Sequence, residues 1–331
     1  MDRKKYLAAW IPDFLNVELK LNQSVSRNTR LSYSDALKGF TAFMTRREGV
    51  SQYKLKLEML DIEAVREFLD ALEANGRSTS TRNQRLTALK SFFRYIGRCR
   101  PEYQHLGLDI MWIRNKRCQQ CEMDYLDKKE GECLLSIPDR RTPLGYRNYV
   151  LLRFLYETGA RASEAASLLV GDVFFEPCPY VILHGKGNKV RECTLGQELA
   201  DAMKKLMVSD RRPASPVFRG VRGTARPLTR SGIFLIVTEA FEECKARMPS
   251  LASKRITPHS LRHSMAMQML DAGLDVNFIQ GRLGHASLRT TNKYATLTLE
   301  AKRRALEKCS FAEVGEIQEW PDDVKDIFAV K

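Results

Sequence analysis

Strand-type alternation is confined to one short span of this chain. Val173–Phe175, Tyr180–Leu183 and Val190–Thr194 alternate in polarity and carry β-branched residues, as half-buried strands do. Gly185-Lys186-Gly187-Asn188 joins the last two with turn residues suited to a hairpin. Elsewhere apolar residues recur at helical spacing. The fold is therefore expected to be mainly α with a small antiparallel β-sheet. A length of 331 residues suggests two domains.

Residues 1–110 read as a helical domain. Trp10, Phe14, Val17 and Leu21 share one helical face. Tyr33, Leu37, Phe40 and Phe43 form a second stripe behind a cap at Asn28, and Leu60–Leu72 a third. Ser78, Thr79 and Ser80 cap a fourth helix, with Leu86, Leu89, Phe92, Phe93 and Ile96 facing inward. Its other side carries Arg82, Arg85, Lys90 and Arg94. Such a face is either solvated or laid along nucleic acid. The formal net charge of +14 favours a polyanionic partner, so these four residues are assigned to DNA contact. Arg100-Pro101, Gly107 and the basic segment 111–124, with Arg114, Lys116 and Arg117, read as a boundary and linker.

A second domain is expected over 125–309. Lys128–Leu135 suggests a short helix and Tyr146–Thr158 a buried one. Gly159 ends the latter, Arg161 sits at the turn, and Ala162–Leu169 resumes with Glu164 in its first turn. On spacing alone, Arg161 pairs with Glu157 or Glu164. Gln197–Val208 and Ser231–Ala246 are helices, the second with Phe234, Leu235, Val237, Ala240 and Phe241 inward. The loop between them holds Arg219, Arg222 and Arg226, and Arg230 follows; they grip phosphates or merely solvate it. Thr257-Pro258 then starts a helix as N-cap and first residue. His259 and Arg262 share a face, and a helix N-terminus beside an imidazole and a guanidinium suits a phosphate. Gly273 closes that helix. Another, Val276–Leu283, stops at Gly284 before His285, and Ser287 caps a last one bearing Tyr294.

The eight cysteines, 99, 118, 121, 133, 178, 193, 244 and 309, are scattered, which argues for reduced thiols. Cys118-Gln-Gln-Cys121, with Cys99, His105 and Cys133 near it in sequence, lacks the second close pair of a zinc site. There is no P-loop and no carboxylate cluster suited to magnesium. No metal and no cofactor are expected. Pro12, Asp13 and Asn16 break the only stretch that could begin a signal peptide, and no apolar run approaches the ~18 residues of a membrane span. A cytoplasmic protein is expected.

His259-x-x-Arg262, Leu283-Gly284-His285 and Thr291-x-x-Tyr294 resemble the signature of the tyrosine recombinases, the phage integrase family. Tyr156–Glu164 resembles its first-arginine box, and His184–Lys189 its lysine hairpin. The resemblance covers roughly residues 125–300 and, more loosely, the N-terminal third. It implies a helical core-binding domain ahead of a mixed α+β catalytic domain, in a Xer-like architecture without an arm-binding domain. It also implies strand cleavage through a 3′-phosphotyrosyl intermediate. The catalytic set would be Arg161, Lys186, His259, Arg262, His285 and Tyr294. Tyr294 would attack, Arg161 and Arg262 would clamp the phosphate, and His285 would donate a hydrogen bond. Lys186 would protonate the 5′-oxygen, and His259 would assist proton transfer at Tyr294. His184 and His263 fall off the matched positions and are assigned to structure. The partner would be double-stranded DNA at the nucleoid, held by a homotetramer on synapsed sites, alone or beside a related recombinase. The acidic and apolar tail 310–331 is either exchanged between subunits or folded on its own domain. The reading from another class is a sequence-specific DNA-binding regulator lacking catalysis; a type IB topoisomerase shares the chemistry.

Overall fold

The computed structural model describes residues 3–118, 123–185, 189–208, 210–220 and 226–284. The chain divides into two compact units, Met1–Cys121 and Glu122–Lys331.

In the first unit, α1 (Leu7–Asp13) runs directly into a π-helix (Phe14–Asn22). α2 (Arg27–Glu48), α3 (Ile62–Ala74), α4 (Thr79–Cys99) and α5 (Gln104–Trp112) follow. Side-chain caps fix the starts of α2, α3 and α4. Ser26 accepts from the Thr29 N–H, Asp61 from Ala64 and Ser78 from Thr81, which satisfies donors that a first turn leaves without partners. The α2 cap is thus Ser26; Asn28 lies inside the helix. Phe14, Phe40, Phe92 and Phe93 fill the core. Phe14 meets Phe92 edge-on at 5.2 Å between ring centroids.

The π-helix moves the buried face. Val17 and Leu21, expected inward, are exposed, while Glu18 and Leu19 are buried. Its bonds span five residues, as from the Gln23 N–H to the Glu18 carbonyl at 3.0 Å, so the inward direction drifts from the ordinary helical period. Pro12, inside α1, has no N–H to close its own turn just before this wide stretch. Burial would raise the pKa of Glu18, but hydrogen bonds from Asn22, Arg98 and Gln23 hold it below the usual range. Gly107, read as a boundary signal, lies within α5. A Cβ there would stand 3.0 Å from the Phe93 carbonyl oxygen, so α5 packs closely on α4. Beyond α5 the Lys116 N–H reaches the Asn83 side chain of α4 at 3.1 Å.

The second unit holds α6 (Lys128–Ser136), α7 (Pro143–Thr158) and α8 (Ala162–Ser167). The strands β1 (Val173–Phe174), β2 (Tyr180–His184) and β3 (Val190–Thr194) follow. Then come α9 (Gln197–Leu206), α10 (Arg230–Arg247), α11 (Pro258–Asp271) and α12 (Val276–Leu283). The sheet is antiparallel in the order β1-β2-β3, with Val181 opposite both Val173 and Cys193, and His184 opposite Val190. α7 lies at the centre of the core. Val150, Leu151, Leu152, Phe154 and Leu155 are all buried, in one cluster with Leu199, Met203, Phe241 and Leu261. A helix surrounded on several sides is apolar on several faces. In α10 the inward stripe is Ile233, Val237, Ala240, Phe241 and Cys244; Phe234 and Leu235, expected inward, are exposed. They follow directly on Ile233, and one residue is already about 100° around a helix. Among the described residues, no helix is long and apolar enough to cross a membrane.

Candidate active site

Gly159 ends α7 in the left-handed conformation at φ 60°, which glycine adopts without Cβ strain. Packing needs the glycine as well, because a Cβ would lie 2.4 Å from the Met265 methyl carbon. The chain then turns through Ala160, and Arg161 is the extended N-cap residue of α8. Glu164, in the first turn, reaches back to the Arg161 N–H at 2.8 Å. Its other oxygen takes a 2.8 Å bond from the Arg161 guanidinium. Of the two carboxylates considered from the sequence, Glu157 is engaged by Arg153 and Glu164 by Arg161.

Glu164 has a second, better buried partner. Arg191 on β3 donates from both terminal nitrogens to the two carboxylate oxygens, at 2.9 and 2.8 Å. The Glu164 side chain is 1% exposed, Arg191 11% and Arg161 37%. Burial would push the Glu164 pKa up, but hydrogen bonds and charge from Arg191 and Arg161 outweigh it and bring the group down to about 2. It is therefore an anion at any neutral pH.

The foot of the β2–β3 hairpin lies at this pair. The Gly185 N–H bonds the Lys189 carbonyl at 2.7 Å. A Cβ on Gly185 would stand 3.4 Å from the Glu164 oxygen and 3.9 Å from the Arg161 guanidinium. Lys189 is exposed.

α11 starts as the sequence predicts. Thr257 caps it by accepting from the Ser260 N–H, with Pro258 in the first helical position. Ser264 accepts from the Leu126 N–H at 2.8 Å and so ties the helix to the segment entering α6. His259 is exposed on the first turn. Arg262, on the same side, turns into the protein and is 1% exposed. Its guanidinium donates to the Gly159 carbonyl at 2.7 Å and to the Leu283 carbonyl. Arg262 thus joins the turn that carries Arg161 to the end of α12. That end is Gly284, left-handed at φ 61°. His263 is buried with its ring edge-on to Tyr125, and His184 faces Asp172 at 3.2 Å.

Arg161, Arg262 and the first turn of α11 are therefore brought to one corner, along with the hairpin foot next to Lys186 and the helix end next to His285. Lys186, His285 and Tyr294 lie outside the described residues, as do Cys121, Arg222 and the tail 310–331. Two cations, Arg161 and Arg191, share the one Glu164 carboxylate, and Arg262 adds a third beside the Gly159 turn, which leaves a positive excess suited to an anionic group such as a phosphodiester.

The four α4 residues assigned to DNA do not form one exposed face. Arg82 is 6% exposed, hydrogen-bonded to the Asn83 side chain and 3.9 Å from Glu73. Arg85 donates to the Ser32 carbonyl, and Lys90 to that of Ile113 at 2.6 Å. Arg94 is the exposed member of the four. Cys133 is in the second unit, its sulfur 2.7 Å from that of Cys244. Arg219 pairs with Asp210.

Two residues at the corner were absent from the sequence reading, Arg191 and Arg282. Arg282 donates to the Thr194 hydroxyl and carbonyl at 2.8 and 3.0 Å. Strand parity held a signal for Arg191: it shares the inward side of β3 with buried Cys193, and an arginine at an inward strand position calls for a carboxylate partner.

The phage integrase family matches residues 124–300, and the phage integrase N-terminal SAM-like domain matches residues 12–98. The chain belongs to the phage integrase family. It is thus a tyrosine recombinase, an enzyme of site-specific DNA recombination. Among its relatives, the Sinorhizobium fredii protein y4rC, an integrase/recombinase by name, is 33% identical over 94% of this chain and 93% of its own. Tyrosine recombinase XerC of Lacticaseibacillus casei is 30% identical over 85% of this chain and 92% of its own. In fold, the recombinase is similar to the XerH site-specific recombinase, with a TM-score of 0.68 at 20% identity, covering 93% of this chain and 97% of that one. It is also similar to the Tn1549 transposon integrase, with a TM-score of 0.67 at 18% identity, covering 91% and 99%.

Proposed function

We propose that the recombinase cuts one DNA strand at a time with the phenol of Tyr294. The phenolic oxygen attacks the scissile phosphorus, the bond to the 5′-oxygen breaks, and a 3′-phosphotyrosyl link and a free 5′-hydroxyl result. His259 takes the phenolic proton and Lys186 delivers one to the departing oxygen. The reverse sequence, with a 5′-hydroxyl from another strand, rejoins the DNA. The ester keeps the bond energy between the two steps, so neither ATP nor a metal ion is needed. Arg161 carries the charge that meets the non-bridging oxygens. Arg262 adds positive charge from inside the protein, where it is weakly screened, and His285 adds a hydrogen bond. The observation that carries this reading is the convergence of Arg161 and Arg262 with the two segments that lead directly to Lys186 and His285. A regulator without catalysis has no need of that set and is not favoured.

XerH is solved on its difH substrate, and the Tn1549 integrase on transposon end DNA. By the same chemistry the partner here is double-stranded DNA of the nucleoid. Four subunits hold two synapsed sites, alone or beside a related recombinase, in integration or excision of a mobile element or a related rearrangement. The tail 310–331 is exchanged between subunits, so deleting Phe311–Lys331 lowers tetramer formation more than DNA affinity. Residues 1–110 bind the core site and 125–309 carry the chemistry.

Incubation with nicked, labelled duplexes tiled from DNA flanking the gene tests the reaction. Wild type gives an SDS-resistant adduct, unaffected by EDTA, and Tyr294→Phe gives none while binding the same duplex. An adduct with Tyr294→Phe would move the nucleophile elsewhere. Specific binding without any adduct would favour the regulator.

A further inference from the structure

Arg191 has no part in the chemistry above, yet it is a largely buried cation at the centre of the corner. Its terminal nitrogens hold both oxygens of Glu164, and its Nε donates to the Arg282 carbonyl at 3.0 Å. Arg282 answers from α12 by bonding the far end of β3 at Thr194. The Arg191 stem also lies on the helix end, since a Cβ on Gly284 would stand 2.9 Å from its Cδ. One side chain thus touches the α8 turn, the strand leading from the hairpin, and the close of α12.

We infer that Arg191 is a positioning residue, which locks the Arg161 turn to the Leu283–Gly284 helix end and so sets how Arg161 and the segment leading to His285 are held relative to the scissile phosphate. The inference rests on the active site proposed above. Two physical points carry it. The first is charge. Glu164 alone would neutralise Arg161; with Arg191 holding the carboxylate from the buried side, the more exposed Arg161 keeps its positive charge for a ligand. The second is shape. A planar fork spans two carboxylate oxygens and presents Nε to a third acceptor, which a lysine cannot do. A buried ion pair adds little net stability over a well-packed apolar pair, so stability alone gives weak reason for this one. Geometry gives a stronger one, because a shift of about 1 Å in a reacting group costs on the order of a hundredfold in rate.

The test uses the full chain and single-turnover adduct formation on a nicked duplex at saturating DNA, well below every variant's melting midpoint. Arg191→Gln is expected to slow the step about a hundredfold with DNA affinity within about twofold of wild type. Arg191→Lys, which keeps the charge and the fold, is expected to recover only part of the rate. The double variant Arg191→Gln/Glu164→Gln is expected to be no slower than the slower single one, because the two act as a unit. Wild-type rate in Arg191→Gln or Arg191→Lys, or multiplicative loss in the double variant, would overturn the inference. Hydrogen exchange reads the linkage without reference to activity. Peptides over 160–167 and 276–284 should lose protection together in Arg191→Gln while α7 keeps its own; a change in one alone would also overturn it. If wild type forms no adduct, the proposed reaction fails, and the exchange result still decides whether Arg191 links the two segments.

Discussion

In helix α4, Arg82, Arg85, Lys90 and Arg94 lie within a few turns, whereas Arg161, Arg191 and Arg262 come from a helix cap, a strand and a helix interior far apart in sequence. The clustered set disperses: Arg82 turns inward, Lys90 reaches the Ile113 carbonyl, and Arg94 is exposed. The scattered set converges through Glu164, Gly159 and Leu283. Side-chain direction explains the difference. Around a continuous helix, neighbouring basic residues fan over a wide arc, so charge density in sequence is not charge density in space. At a cap, a strand parity position or the first turns of a helix, the backbone already fixes where the side chain goes.

Three measurements test this contrast. The largest effect belongs to the converging set. Arg161→Ala should reduce adduct formation about 10²–10³-fold with its melting midpoint nearly unchanged, because the side chain is partly exposed. Arg262→Ala should lose activity and also about 3 kcal/mol of stability, as it strands two buried carbonyls. Equal stability of the two variants would mean that Arg262 is not the tie described here. Next is pH. A carboxylate whose pKa is lowered on folding stabilises fully above its unfolded value and loses that contribution as pH falls through the folded one. With Glu164 at about 2, its share, about 3 kcal/mol, is constant above pH 5 and lost between roughly pH 5 and 2. Glu164→Gln, less stable above about pH 5 and close to wild type by about pH 2, should lack this part of the acid slope in unfolding curves taken at each pH. The smallest effect separates the α4 residues. Arg94→Ala should flatten the dependence of log affinity on log salt by about one. Arg82→Ala should leave that slope alone and lower the melting midpoint. An unchanged slope for Arg94→Ala would remove α4 from the DNA interface.

Much of this was legible in the sequence, for local reasons. Turn and cap chemistry placed Thr257, Gly159, Gly284 and the β2–β3 hairpin, because each depends on a few adjacent residues. Motif order brought Arg161 and Arg262 into one reading. Phase was harder. A run of i→i+5 bonds after Pro12 turned Val17 and Leu21 outward, and nothing in residue type announces such a widening. In α10 several apolar residues in a row left the inward stripe ambiguous between Ile233 and its neighbours. The partners of Arg191 and the burial of Arg262 were out of reach for a different reason. Both depend on carbonyls and a carboxylate that only tertiary packing brings near.

The way α12 is attached has one more consequence. Among the described residues, its buried Ile279 and Leu283 cluster with Met265 and Ala266, with Met269 and Leu270 packed against them, apart from the main core. Among the described residues its polar ties are guanidinium bonds through Arg191, Arg262 and Arg282, to carbonyls and to the Thr194 hydroxyl. Breaking the contacts among the described residues would wet little oil and break mostly polar links. The free energy of that opening should hardly respond to urea, while the opening of α7 follows the steep denaturant slope of whole-domain unfolding. The Arg191 tie thus holds the end of α12 by polar links, and its local opening should separate from whole-domain unfolding when hydrogen exchange is followed at rising urea.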